Sequence, residues 1–314
     1  IKTDKYERLG NKVWFGYYPQ TCLNTGLQDE KHLDLINELK GMAGTLPTLD
    51  TKANYAATKD NTDWIKYDDY YFYVAYPWND GTSIENAPHM WYIDIDYDGD
   101  GRYDYRGVLI YNYRTDEISS SKSPKSTDNT HQDDNHYSSS SNYRTYWFKY
   151  ELIEWDVLEN NDGTVKLIAN LAIDSQNFSL SSNNYDSSYI RSFLNDDLYN
   201  TAFNTLEKSI MKTMTIGSNS DYVTLLSEEE VTSYFANNTD RWSFSTDYAK
   251  SQNCYTYEPP SIYNRTYEDN CYWLTRSAYT ESGKIYYINH AGTITNGKTN
   301  MTYYGIKPVI TITL

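Results

Sequence analysis

The order of periodic segments predicts an α+β chain: a mostly antiparallel, discontinuous sheet enclosing a few short helices. Two observations carry this. Runs rich in Tyr, Trp, Val and Ile, such as 146–158, 164–169 and 306–314, read as strands. Apolar residues at helical spacing recur only over short stretches between such runs.

Taken in order, Lys12-Val13-Trp14-Phe15-Gly16 reads as a strand closed by Tyr18-Pro19-Gln20. A helix follows from about Asp29, with Leu33, Ile36 and Leu39 on one face and Gly41 ending it. Residues 70–76 form a β-rich run, and strands over 89–95 and 105–113 flank an acidic turn. Residues 115–142 are almost wholly Ser, Asp, Asn, Lys and Thr, with Pro124 among them, so they cannot bury a core and read as a long surface loop. It could instead be a linker between two domains, but neither flank makes a closed unit. Asn161-Asp162-Gly163 is a strong hairpin turn between strands 146–158 and 164–169. Helices are expected over 187–195, with Ile190, Phe193 and Leu194 inward, and over 204–214. Ser227-Glu228-Glu229-Glu230 has the spacing of a capping box opening a third short helix. The tail returns to strands over 272–276, 284–289, 292–295 and 306–314.

Charge and composition narrow the function. With 27 Lys and Arg against 43 Asp and Glu, the formal net charge is −16, which argues against nucleic acid as a partner because basic contacts to phosphate supply most of that affinity. No stretch reaches the apolar length that spans a bilayer, so no direct membrane insertion is expected. The opening Ile1-Lys2-Thr3 lacks a basic-then-apolar leader, as would a secreted protein trimmed of its signal or a cytosolic one. Cys22, Cys254 and Cys271 are too few for a disulfide scaffold and have no zinc-ligand spacing. At most one bridge is expected, between Cys254 and Cys271. The chain carries 35 Tyr and 8 Trp against only 8 Phe, set among Ser, Asn and Asp. Tyrosine combines a rigid ring with a hydroxyl, and binding loops favour this mixture, so such a surface suits carbohydrate or protein contact. For any single Tyr, the alternative is alternation along a half-exposed strand.

Specific blocks resemble a known family. Tyr146-Trp147-Phe148-Lys149-Tyr150-Glu151, Ile173-Asp174-Ser175-Gln176, Tyr189-Ile190-Arg191-Ser192-Phe193-Leu194-Asn195, Tyr272-Trp273-Leu274 with Arg276-Ser277, and Gly305-Ile306-Lys307-Pro308-Val309 are similar to bacterial proteins carrying the domain of unknown function numbered 6273. Phe15-Gly16-Tyr17-Tyr18-Pro19-Gln20-Thr21 and Gln132-Asp133-Asp134-Asn135 also fit family blocks. That family is similar to the formylglycine-generating-enzyme branch of the C-type-lectin-like fold, a branch that mixes oxidases, other enzymes and diversified binding proteins. The resemblance therefore implies that residues 1–314 form a single compact C-type-lectin-like α+β domain with its ligand face in the C-terminal lobe. Formylglycine-generating enzymes hold copper with two nearby cysteines in that lobe. Here only Cys271 is expected there, with Cys254 well upstream, so no copper is expected.

The sharpest local pattern runs from Asp94 to Asp104. Asp94, Asp96, Asp98, Asp100 and Asp104, with Arg102 in the same turn, set alternate carboxylates around a tight bend, a ligand set that suits calcium. The glutamate of a helix-loop-helix hand is missing, Gly107 standing there, and the pattern looks instead like calcium loops at β-hairpins. Such an ion would staple the hairpin, and abundant extracellular calcium fits a secreted or cell-surface location. The alternative is a solvated acidic turn. His131 and His136 lie in the polar loop, and His32, His89 and His290 have no visible partner. No nucleophile elbow, zinc-protease helix, phosphate loop or dinucleotide fingerprint occurs, and Glu151 with Glu154 is one carboxylate pair among many.

For ligand contact the expected residues are Tyr255, Tyr257, Trp273, Arg276, Tyr279, Tyr286, Asn289, Tyr303 and Tyr304, with Tyr263 beside them. The block around Trp273 and Arg276 reads as core, and Tyr257, Tyr279 and Tyr303 are the stronger expectations for exposure. The function this describes is a non-catalytic, adhesin-like recognition module for glycan or protein on a host or bacterial surface. Its rivals are an oxygen- or metal-dependent enzyme of the same fold and an accessory domain of a larger surface protein.

Overall fold

In the computed structural model of the chain, the described residues are 7–9, 11–23, 32–43, 58–59, 64–67, 70–73, 90–111, 143–179, 181–252, 254–257, 266–301 and 303–314. The expected loop at 115–142, with His131, His136 and 132–135, lies outside them, as do Asp29, His89 and Tyr263. The described architecture is mixed α+β, with mostly antiparallel sheets and short helices. No helix among the described residues is long and apolar enough to cross a membrane.

The larger sheet is organised by one long strand, Tyr143–Asn161. Strand Lys12–Cys22 pairs antiparallel along its middle on one edge. Tyr105–Tyr111 and Thr164–Ala169 pair with its two ends. The latter is joined to it by the expected turn, where Asp162 (φ 48°) and Gly163 (φ 88°) adopt the left-handed conformations of a tight hairpin. Strand Val309–Thr313 adds to Thr164–Ala169, and Met211–Lys212 and Val223–Thr224 add in turn to Val309–Thr313. A second sheet runs in the order Asp174–Ser175, Gly305–Ile306, Trp273–Ala278, Lys284–Ile288, Ile294–Lys298. Between the sheets lies a core of alternate inward side chains, among them Val13, Phe15, Trp155, Phe203, Leu274 and Ile306, all at most 2% exposed.

Several boundaries differ from the sequence expectation for identifiable reasons. Strand Lys12–Cys22 does not close at Pro19 but runs through it, because a register shift between Pro19 and Thr21 accommodates the residue that lacks an N–H. The first helix spans Leu33–Ala43 and passes through Gly41; its buried face is Ile36, Leu39 and Ala43, while Leu33 is exposed. The stretch opening at the Ser188 cap continues beyond 195, through a π-turn at Leu194–Leu198, to Ala202. The helix expected over 204–214 shrinks to Thr205–Lys208. Asn204 and Glu207 close a capping box there, and Met211 then pairs with Ile312, so sheet pairing ends the helix. The terminal strand breaks at Lys307-Pro308, which carries the chain from the second sheet to the first. The Ser227 capping box is present as expected, opening helix Glu228–Tyr234.

A buried polar network joins the sheets. Arg106 is 3% exposed; its Nε and Nη2 donate to the two Asp94 oxygens at 2.7 and 2.8 Å, its Nη1 donates to Tyr248 Oη at 2.8 Å, and it lies 3.8 Å from the Tyr92 ring centroid. Tyr150 also donates to Asp94 at 2.8 Å. Tyr248, on helix Asp247–Ser251, packs edge-on against Tyr18, whose hydroxyl donates to Asp174 at 2.5 Å in the second sheet.

Arg106→Met leaves the part-buried Asp94 without its cation and is expected to cost about 3 kcal/mol in chemical denaturation. Lys12→Met, which breaks half-exposed pairs with Glu154 and Asp156, is expected to cost under about 1 kcal/mol. Equal effects would contradict this account of the network.

Candidate functional site

The C-terminal sheet sorts its side chains by strand alternation. Trp273 faces Ile288 across one pair and packs with Leu226, Val231 and Val309. Leu274 faces Tyr287 on the opposite side. Tyr272 lies on that same side, its ring 5.1 Å from Tyr287. Segment 254–257 runs beside it, with Thr256 bridged to Cys271, Tyr257 N–H donating to Asn270 at 2.9 Å and Tyr255 N–H donating to Tyr303 at 3.0 Å.

These pairings assemble a continuous run of rings. Trp242 meets Tyr267 edge-on at 5.6 Å, and Tyr267 meets Tyr257 at 6.1 Å. Tyr257 stacks on His290 at 4.2 Å, His290 lies 5.9 Å from Tyr272, and Tyr272 meets Tyr255 at 4.3 Å and Tyr303 at 6.0 Å. Tyr255 is 38% exposed and the other seven, Tyr287 included, are half-buried, so this is a platform with one wet side. Burial lowers the pKa of His290, favouring its neutral form. Three buried polar atoms around these rings, Trp242 Nε1, Thr256 Oγ1 and His290 Nδ1, make no hydrogen bond. Buried groups of this kind are rarely left unsatisfied and call for a partner.

The expected ligand residues divide accordingly. Tyr255, Tyr257 and Tyr303 belong to the platform. Tyr304 lies beneath it, fully buried, its hydroxyl donating to the Lys298 carbonyl at 3.2 Å. Trp273 is buried on the other side of the sheet and donates to the Arg241 carbonyl. Arg276 donates to Glu230 and to the Leu225 carbonyl, pinning helix Glu228–Tyr234. Asn289 accepts from the N–H groups of Ala291 and Thr293 in its own turn. A side chain at Gly292 (φ 76°) would meet the Asn238 carbonyl at 1.9 Å, so the turn admits only glycine. Tyr279 and Tyr286 form a separate edge-on pair at 5.1 Å. Tyr267, Tyr272, Tyr287, His290 and Trp242 complete the platform without having been singled out from the sequence for contact.

In the acidic turn, single oxygens of Asp96, Asp98 and Asp104 lie within 4.8 Å of one another. The same carboxylates order the loop by accepting backbone N–H groups: Asp96 from Gly99, Asp100 and Gly101, and Asp104 from Tyr97 and Asp98. Asp100 accepts from the Arg102 N–H and stands outside that trio. Asp94 is turned inward to Arg106, and the Arg102 guanidinium reaches Glu207 in a two-point contact at 2.7 and 2.9 Å. Neither side chain joins the acidic trio.

A separate cleft of about 210 Å³ is lined by Trp14, Gln20, Glu151, Glu154 and Asn170. Its carboxylates are engaged, Glu154 with Lys12 at 2.8 Å and Glu151 with the Thr21 hydroxyl at 2.6 Å.

The expected bridge between Cys254 and Cys271 is not formed; both are buried free thiols. The fold nevertheless brings Cys254 into the C-terminal lobe, packed in one buried cluster with Cys271. This corrects the expectation that Cys271 stands there alone: strand-like pairing of 254–257 with 270–272 closes the sequence gap.

Two carboxyls, half-buried Glu230 and buried Asp174, give the domain opposed pH dependences. Burial pushes Glu230 up, but hydrogen bonds from Arg276, Lys166 and the Ser227 N–H outweigh it and hold the pKa at about 2. Its stabilising contribution is full above its ordinary value of 4.5 and is lost as pH falls toward 2. Burial raises Asp174 from 3.8 to about 6 against the opposing bonds of Tyr18 and Ser175, so its contribution declines as pH rises through that interval. Glu230→Gln is expected to flatten the acid loss of stability, and Asp174→Asn to remove the decline between pH 4 and 6, in denaturation series across pH. Unchanged slopes would contradict these assignments.

Nothing among curated proteins and nothing among solved structures matches this chain. The platform, the sheet supporting it and the thiol pair all lie within residues 162–314, the part of the chain that matches the family model described as a domain of unknown function (DUF6273).

Proposed function

We propose that this chain is a non-catalytic, adhesin-like recognition module, secreted or displayed at a cell surface, that binds glycan or protein through the aromatic platform of its C-terminal lobe. One observation carries the reading: rings from five stretches of the chain converge on a single half-exposed surface that also holds buried polar atoms without a hydrogen-bond partner among the described residues. Sugar rings present apolar C–H faces that stack on Tyr and Trp, and their hydroxyls satisfy donors and acceptors at the ring edges. The acidic surplus, 43 Asp and Glu against 27 Lys and Arg, favours neutral or cationic ligands. The C-type-lectin-like fold of formylglycine-generating-enzyme relatives, carried by the blocks quoted above, belongs to this proposal and fits a ligand face in the same lobe.

Calcium at Asp96, Asp98 and Asp104 is the second part of the proposal. Three carboxylates sharing one small volume repel one another, and a hard divalent cation relieves that repulsion and holds the hairpin. This position is remote in sequence from the platform, so the ion acts on stability.

A second reading, an oxygen- or metal-dependent enzyme of that fold, is favoured by the contact of Cys254 with Cys271. Soft thiolate ligands select copper(I). Competition with a copper(I) chelator separates the readings: one tightly held equivalent, lost in Cys271→Ser, supports the enzyme, and no retention supports the binding module.

The main test is a glycan and surface-protein array probed with the wild-type chain, Tyr257→Ala and Tyr303→Ala. Specific binding is expected, reduced about tenfold or more in each variant, as alanine truncation of aromatic anchors commonly does. Binding indifferent to both changes, or none at all, would overturn the platform reading. Millimolar calcium is expected to raise the melting temperature of the wild type and leave Asp96→Asn/Asp104→Asn unmoved; equal response in both would remove calcium from the account.

A further inference from the structure

Beneath the platform lies a buried cluster that the recognition reading leaves unused. Cys254 and Cys271 are 3% and 1% exposed and pack with Ala172 and Ala249. The Cys254 thiol is directed at the Tyr255 and Tyr272 carbonyls, each at 3.9 Å, and the Cys271 N–H donates to the Ser243 carbonyl at 2.7 Å. Lys250 and Lys307 are buried at 4% and 7% exposure; burial lowers the Lys307 pKa to about 8, so it is still largely protonated at neutral pH, and both charges favour a thiolate at Cys271. Lys307 donates to the Asn170 carbonyl at 2.9 Å. Strand Gly305–Ile306 closes the pair from below: a side chain at Gly305 would meet Cys254 Sγ at 2.9 Å.

We infer that Cys254 and Cys271 form a redox-reactive dithiol, a modification site for a small hydroperoxide, whose oxidation to a disulfide staples the two segments carrying the platform's rings. The neighbours of the two sulfurs give the consequence. Cys254 precedes Tyr255 and Tyr257, and Cys271 precedes Tyr272, so a bond between them fixes the spacing of rings that meet 4.3 Å apart. Segment 254–257 is otherwise held to 270–272 by one isolated bridge and its few backbone hydrogen bonds.

The chemistry follows from burial and charge. Burial raises both thiols, but the neighbouring Cys254 thiol and the charge of Lys307 bring Cys271 below the ordinary thiol value, while Cys254 stays well above it. Lys307 lies 5.5 Å from the ring centroid of Trp273, two residues along the chain from Cys271, and on this placement Cys271 is assigned as the nucleophile and Cys254 as the resolving thiol. The Cys271 sulfur attacks the near oxygen of hydrogen peroxide; the O–O bond breaks, and the departing hydroxide takes up the thiol proton as water. The Cys254 sulfur then displaces the hydroxyl of the resulting sulfenic acid, which leaves with the Cys254 proton as a second water. Two thiols and one peroxide give one disulfide and two waters. A buried pair admits a reagent of this size more readily than a bulky disulfide.

The test treats the purified chain with hydrogen peroxide, denatures it in an alkylating reagent and maps the peptides by mass. The expected product has lost two hydrogens, carries a peptide linked through Cys254 and Cys271, leaves Cys22 alkylated, and returns to three free thiols with dithiothreitol. Amide exchange over 254–257 and 270–272 is expected to slow about tenfold or more in the oxidised chain. In Cys254→Ser, linkage is abolished and Cys271 is driven to irreversible oxidation; Cys22→Ala keeps the linkage. Two thiols that stay reduced, or pairing of either with Cys22 or with a second molecule, would overturn the inference. So would a linkage that leaves local exchange unchanged. None of these readouts uses a platform ligand, so failure here is separate from failure of the recognition reading.

Discussion

The burial of one guanidinium organises much of this domain. Removing Arg106 from water is costly, and the cost is offset only if every face of the group is engaged. Asp94 takes two of its donors, the Tyr248 hydroxyl takes a third, and the Tyr92 ring covers its plane. Meeting those demands fixes hairpin Met90–Ile95 to Tyr105–Tyr111 against the long strand and sets helix Asp247–Ser251 beneath it. Tyr248 and Tyr18 pass the constraint to Asp174, and pairing of Asp174 with Ile306 brings it to the sheet that supports the platform. The acidic turn and the aromatic surface are thus held in one framework although they come from distant parts of the chain.

Local signals were legible where local physics decides the outcome. The Asn161-Asp162-Gly163 hairpin and the Ser227 capping box need only a few neighbouring residues, and both form as read. The α+β mixture was legible from the short periodic segments. The helix expected over 204–214 failed because its C-terminal half has a stronger option in pairing with Val309–Thr313, a partner about a hundred positions away. Pro19 looked like a stop because a sequence does not display the register shift that accommodates it.

The candidate site was half legible for the same reason. Tyr255, Tyr257 and Tyr303 announced themselves by composition, whereas His290 and Trp242 become ring neighbours only through folding. Tyr272 and Tyr287 were visible as strand residues, and their sharing of one wet side depends on the register Leu274 to Tyr287. Trp273 and Arg276, whose block reads as core, and Asn289 are engaged in bonds to Arg241, Glu230 and their own turn. Cys254 and Cys271, read as the likelier disulfide pair, share one buried cluster as free thiols.

The central claim is that the platform of residues 242–303 is where this chain meets its ligand. Hydroxyl-radical footprinting of tyrosine side chains, with and without a pool of released mucin and bacterial cell-wall glycans, tests it most directly. The account predicts protection of Tyr255, Tyr257, Tyr267 and Tyr303, with no change at the exposed Tyr103 and Tyr222, which lie elsewhere. Protection confined to Tyr103 or Tyr222, or to the cleft at Trp14 and Glu151, would contradict it.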